Sequence, residues 1–422
     1  MTKTAPKLGD ALTLKNGTSL INRIGKAAME ESLCDANHGP SAALISLYKN
    51  WSAGGAGLLI TGNVMVDRTA LTGPSNVIVE NEDNMTGLKA WAKAGKSGGG
   101  QIWAQINHPG RQVFAMVSEE PVAPSAIAVE IKGAKGMFAV PRALGEDDIA
   151  NIITRFANTA AILEKAGFDG VEIHGAHGYL VSQFLSPISN KREDQWGGNI
   201  ENRARLLIDI VRAVRARVSK KIGVGVKLNS ADFQKGGFSH ADAEQVIKML
   251  NSEQLDLLEI SGGTYEAPAM TGATGDDPAP EKLRESTKIR EAYFLGFAKQ
   301  ARSYAEMPLM VTGGFRSKAG MEAALADGAL DMVGMGKPFA HNPRIAADLL
   351  EGNTVGVELK KIKLPVAALS SMAEMAWAKS QMHRIAAGKK PAPFWGPFFN
   401  LIGTQIAQRK AAKAYQTWLA RK

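Results

Sequence analysis

The sequence predicts a (β/α)8 TIM barrel followed by a basic, mainly helical C-terminal extension, and three observations carry that prediction. Eight short apolar runs alternate with segments of helical period. The runs are apolar on both faces, as strands of a parallel sheet covered by helices must be. No Gly-x-Gly-x-x-Gly turn follows the first run, which counts against the competing open, doubly wound sheet.

Taken in order, the predicted strands are Ile24–Met29, Leu58–Thr61, Gln101–Ile106, Gly170–His174, Ile222–Leu228, Leu257–Ile260, Leu309–Thr312 and Met332–Met335. Between them, 146–167 reads as a helix because Ile149, Ile152, Ile153 and Phe156 fall on one face, with Gly167 placed for a left-handed cap. Segments 202–218 and 317–328 have the same period. Two stretches break the rhythm. Segment 109–145 contains Pro109, Pro121, Pro124 and Pro141 and is too long for a simple connection, so it is a candidate lid or hairpin. Thr264–Lys282 reads as a polar, mobile Gly/Pro loop. The barrel is assigned to 1–353 and the tail to 354–422, with two helices joined at 388–397.

The 422-residue chain is 45% hydrophobic and 22% charged, which fits a soluble globular protein. The N-terminus lacks the apolar core of a signal peptide, and no apolar run reaches the ~18 residues of a spanning helix. Cys34 stands alone, so there is no internal disulfide and no cysteine-ligated iron–sulfur cluster. A cytoplasmic protein is expected. The net charge of +9 is uneven: Leu359–Lys422 holds twelve Lys/Arg and one acid, Glu374, a charge of +11 that leaves about −2 elsewhere. A nucleic-acid surface on the main body is therefore not expected. In the tail, Val366, Leu369, Met372, Ala373 and Ala376 form a stripe suited to docking on the barrel or on a second copy. The aromatic and basic residues of 398–422 leave contact with an anionic membrane surface as the lesser reading.

Active sites of such barrels lie at the C-terminal strand ends. The seventh and eighth ends supply Gly313, Gly314, Arg316, Ser317, Gly336 and Lys337. Glycines at strand ends also simply make turns, but turns beside cations and a helix start suit a phosphate. The third end supplies Gln105, Asn107, His108 and Arg111, and the fifth Lys227 and Asn229. The fourth end places His174, His177 and Tyr179 within six residues. Three readings of that cluster are open. The histidines are metal ligands completed by Glu172, His108 or Asp232, although the spacing fits no strong metal signature. They are ordinary structural histidines. Or they are paired donors to a substrate oxygen with Tyr179 as the acid, since a phenol of pKa ~10 keeps its proton at neutral pH.

Across about residues 8–352 the chain resembles the old yellow enzyme family of FMN-containing, NAD(P)H-dependent oxidoreductases. The resemblance rests on "LINRIGKAAM" (20–29), "GLLITGNVMVDR" (57–68), "QINHPGRQ" (105–112), the long segment 166–215, "VTGGFRS" (311–317) and "DMVGMGKPFAHNP" (331–343). It implies an FMN ring against the backbone at Ala28 and Met29, with Gly62 and Gln105 at its pyrimidine end. Lys227 stands where most relatives have an arginine near the flavin N1–O2 edge. The phosphate would be held by Gly313, Gly314, Gly336 and Lys337, with Arg316 a further candidate. It further implies that His174 and His177 bind the carbonyl of an α,β-unsaturated substrate, that hydride comes from flavin N5, and that Tyr179 protonates the α-carbon. No metal is implied.

The chain departs from the family pattern in three places. Glu30 stands where members commonly have Thr or Cys near the flavin, the single cysteine leaves out the cysteine-bound cluster of relatives that reduce dienoyl thioesters, and the tail from Leu359 has no counterpart in the common pattern. Two other functions stay open: a flavin oxidoreductase with a non-alkene acceptor such as oxygen or a quinone, and a flavin-binding protein of low turnover that serves assembly or membrane attachment. A homo-oligomer is compatible with either.

Overall fold

In the computed structural model, which describes residues 5–131, 136–264, 266–267, 295–315, 317–356, 359, 362, 367–392 and 397–421, eight parallel strands close on themselves. They are β1 (Ile24–Lys26), β2 (Leu58–Ile60), β3 (Gln101–Asn107), β4 (Gly170–Gly175), β5 (Gly223–Asn229), β6 (Leu257–Ser261), β7 (Leu309–Thr312) and β8 (Met332–Met335). Each pairs with the next, and β8 returns to β1 through Val333 opposite Ile24. Nearly every strand residue is buried, the expected state of strands covered by helices outside and by packed side chains within.

The lumen is filled by Leu58, Ile60, Trp103, Leu257, Met310 and Met332. Trp103 sets the composition of its neighbours. A Cβ on Gly170 or Gly223 would lie 2.5 or 2.1 Å from the indole, so β4 and β5 need glycine beside it. A hairpin pairing Leu12–Thr13 with Ser19–Leu20 adds Leu12, Leu14 and Leu20 to the cluster. The Asn16 N–H donates to Asp256 just before β6, which places this hairpin at the N-terminal end of the barrel.

The helices begin and end where local chemistry directs. Glu146–Ala166 stops at Gly167, whose φ of 92° is the left-handed cap read from the sequence. Lys318–Ala326 starts at Ser317, whose hydroxyl accepts the Gly320 N–H, and His240–Leu250 starts in a capping box of Ser239 with Asp242. The predicted lid contains a Phe114–Phe138 bridge and a paired Val122–Ala123 and Arg142–Ala143. Glu266 ties it to the loop after β6, accepting from the Arg111 guanidinium at 2.7 Å and from the Glu130 N–H at 2.9 Å. Most of the Thr264–Lys282 loop lies outside the described residues.

The tail forms two helices, Ala367–Ala386 and Pro397–Leu419. The first packs on helix Ala42–Ala53 and on Lys337–His341, sinking Ala373, Trp377, Met382 and Ile385 into the main core. The second crosses the loops after β1, β2 and β3. There Tyr415 donates to the Arg68 carbonyl at 2.7 Å, Gln416 donates to the Val117 carbonyl, and Trp418 meets His38 with ring centroids 4.5 Å apart. The apolar side of the tail thus docks on the chain's own barrel. No described helix is long and apolar enough to cross a membrane.

Candidate active site

The end of β4 brings three rings to one place. The centroid of His174 lies 5.1 Å from that of His177 and 4.8 Å from that of Tyr179. The Ala176 N–H donates to His174 Nδ1 at 3.3 Å, so in a neutral ring the proton sits on Nε2. His177 adopts a left-handed φ of 61°, uncommon for a residue with a side chain. It is held there by its N–H to Asn229 Oδ1 at 3.2 Å and by Nε2 at 2.8 Å from Ser261 Oγ. Burial pushes both imidazoles well below their ordinary pKa; His177 and Lys227 add to this for His174, and Lys227 for His177. Both are therefore neutral at physiological pH, each with one N–H to give. Tyr179 precedes the short helix Leu180–Leu185 and is buried.

Beside the rings runs a buried chain of charge. Gln105 donates to Glu172 Oε2 at 2.7 Å, and the Lys227 ammonium lies 2.6 Å from Glu259 Oε1. Burial, then the neighbouring Glu259, pushes Glu172 well up, so it keeps its proton. Burial alone would raise Glu259 too, but the adjacent Lys227 ammonium outweighs it and holds Glu259 below its ordinary value. The positive charge of Lys227 is thus matched inside the protein.

A second buried cation is Lys26, at the end of β1. Its ammonium donates to the Ile60 carbonyl at 2.7 Å and to the Tyr48 hydroxyl at 3.2 Å, and lies 3.6 Å from Glu31. Burial lowers it to about 8. Glu31 also accepts the Tyr48 hydroxyl and, at 3.0 Å, the Gly62 N–H. Gly62 follows β2, and its N–H is engaged by the chain itself.

The ends of β1, β7 and β8 supply the remaining predicted positions. Ala28, Met29, Gly313, Gly314, Gly336 and Lys337 are all half-exposed, whereas the ends of β3 to β6 are buried. Met29 approaches to 3.6 Å of where a Cβ on Gly336 would stand. Gly313 and Gly314 have φ of 120° and 84°, a turn open to glycine, just ahead of a helix N-terminus. Backbone glycines, a helix start and a lysine at the ends of the neighbouring strands β7 and β8 suit a phosphate, and that donor set fits FMN. Arg316 lies outside the described residues. Lys337 is shared with the tail: its ammonium sits 2.5 Å from Glu374 Oε2. Lys379 of the same helix donates to Ser32 Oγ at 2.8 Å and lies 3.6 Å from Glu30, and His383 Nε2 is 2.8 Å from the Glu31 carbonyl.

Glu259, Lys26, Glu31, Ser261 and the tail's polar residues were not singled out from the sequence. Lone charges inside apolar strands, as in "LLEIS" and "RIGKAA", were the available signal, since a buried charge demands a partner. Among the described residues, no three His, Cys, Asp or Glu side chains converge as metal ligands.

A closed barrel with a glycine cradle at β7 and β8 and neutral donors at β4 defines a flavin-dependent barrel oxidoreductase. Residues 7–354 match the NADH:flavin oxidoreductase / NADH oxidase family, and the chain belongs to it, within the old yellow enzyme group. An NADH-dependent flavin oxidoreductase of Aspergillus parasiticus is 36% identical over 420 residues, covering 96% of this chain and 89% of that one, so most of the tail is shared with it. Among solved structures, an old yellow enzyme homologue from Zymomonas mobilis superposes with a TM-score of 0.70 at 26% identity, covering 84% of this chain and 95% of that one. Morphinone reductase does so at 0.69 and 27%, covering 85% and 92%. FMN is the cofactor and NADH a reductant of this family.

Proposed function

We propose that the chain reduces the activated C=C bond of α,β-unsaturated carbonyl compounds. The observation that carries the proposal is the pair of neutral imidazoles, His174 and His177, with Tyr179 in ring contact. A carbonyl oxygen has only lone pairs to offer and gains negative charge as the β-carbon is attacked. Two N–H donors fixed in a buried place stabilise that charge better than water, because they do not have to reorient. Bound FMN, reloaded by NADH or NADPH, supplies the hydride to the β-carbon. Tyr179 supplies the proton to the α-carbon, which completes addition of H⁻ and H⁺ across the double bond. Ala28, Met29, Gly62 and Gln105 would hold the ring. Lys227 would stabilise negative charge on the reduced ring, and Gly313, Gly314, Gly336 and Lys337, with Arg316 a further candidate, would hold the phosphate.

The test is an anaerobic titration of the yellow holoenzyme with NADPH and then NADH, followed by cyclohexenone. Bleaching by a nicotinamide and return of the colour with enone supports the reading. Bleaching without enone-driven return points to oxygen or a quinone as acceptor, and a protein that takes up no FMN overturns it.

A further inference from the structure

The two histidines reach the same protonation state by different means, and the difference identifies a positioning residue. Nδ1 of His174 is occupied by a backbone N–H, which can only donate, so the ring proton is fixed on Nε2. Among the described residues no backbone N–H donates to the His177 ring; its Nε2 faces the hydroxyl of Ser261 at 2.8 Å, a group able either to donate or to accept. A neutral imidazole carries one N–H, and a carbonyl oxygen can only accept. With Nε2 turned to Ser261, Nδ1 is the remaining nitrogen, and it can donate to a substrate only if Nε2 accepts.

We propose that Ser261, at the end of β6, donates its hydroxyl proton to His177 Nε2 and so keeps the ring in the Nδ1–H form that binds the substrate oxygen. Ser261 acts through His177 and touches no reacting atom. The inference rests on the carbonyl-binding reading given above and adds the residue that sets one of its two donors. The placement is firm on both sides. The Ser230 N–H donates to the Ser261 carbonyl, and Asn229, which accepts the His177 N–H, is itself anchored to Asp232 and to the Gly263 carbonyl.

The test reads the tautomers directly, by long-range ¹H–¹⁵N correlation on FMN-loaded protein labelled at histidine. Wild type should show His174 as Nε2–H and His177 as Nδ1–H. In Ser261→Ala, His177 should shift to mixed or Nε2–H form while His174 stays unchanged, and enone-driven reoxidation should slow on the order of tenfold to hundredfold. Ser261→Thr, which keeps a hydroxyl, should restore the Nδ1–H signal. A wild-type His177 in the Nε2–H form overturns the inference without any variant having to fold. So does an unchanged tautomer in Ser261→Ala. The functional reading fails separately: enone added to the reduced enzyme would then leave both histidine spectra and the flavin colour untouched.

Discussion

The end of β4 and the end of β8 lie on the same rim of the barrel but are completed by different parts of the chain. His174, His177 and Tyr179 come from six consecutive residues, and His177 is oriented by neighbours on β5 and β6, Asn229 and Ser261. At β8 and β1, by contrast, Lys337, Glu30 and the Glu31 carbonyl each meet a residue of the tail helix, Glu374, Lys379 and His383. The β4 cluster is therefore held by the barrel, whereas the ends of β1 and β8 are completed by a segment beyond the end of the family match at 354.

Ending the chain after Gly356 should have the largest effect. It strips cover from buried Trp377, Tyr415, Met382 and Ile385 partners, a loss on the order of 5 kcal/mol, and should lower both the melting temperature and the FMN retained on gel filtration. Enone turnover per FMN still bound should hold. If it falls as steeply as retention, the division between the two sides is wrong.

Tyr179→Phe should do the reverse. FMN retention should be unchanged, while enone-driven reoxidation in stopped flow should slow by about 10²- to 10⁴-fold, the range of a general acid. A parallel loss in NADPH-driven reduction would instead mean that Tyr179 shapes the pocket.

A third strand end sharpens the contrast through pH. His108, after β3, is buried and held down to about 4 against an ordinary 6.5, chiefly by desolvation. The unfolded chain binds this proton below about pH 6.5, the folded chain only below about 4. Stability from this group is complete above 6.5 and is lost as pH falls towards 4, by up to about 3 kcal/mol. Urea midpoints at pH 7 and 4.5 should accordingly separate by less in His108→Gln than in wild type. An equal separation would place acid sensitivity elsewhere, with His174 and His177 the next groups to examine.

The smallest effect belongs to Tyr415→Phe. It removes one hydrogen bond between tail and barrel, to the Arg68 carbonyl, and should cost about 1 kcal/mol in chemical denaturation. No measurable cost would mean that the last helix is held by its apolar face alone.

Much of the barrel was legible in the sequence because its rules are local. A buried parallel strand announces itself as an apolar run, and Gly167 and Ser317 mark helix limits through their own backbone and side-chain chemistry. Strand limits shifted by a residue or so at most positions; β1 stopped three residues early, after Lys26. The clustering of His174, His177 and Tyr179 was visible because they are neighbours in the chain. What escaped was pairing at a distance. Nothing in "GKP" says that Lys337 will meet Glu374, and nothing in "ITGN" says that the Gly62 N–H will be taken by Glu31. Such contacts are decided by how helices settle on the barrel, which no local pattern records.

The indole of Trp103 extends this division to the closed end of the molecule. It occupies the space that side chains on Gly170 and Gly223 would need, so β4 and β5 can pair beside it only as glycine. Those strands run on to His174 and Lys227, some 13 Å further along at ordinary strand rise. His174 and Lys227 are direct partners in that ladder, so backbone pairing sets their spacing, while the ring one strand away obliges both strands to begin bare, like two rails cut back to clear the same bolt.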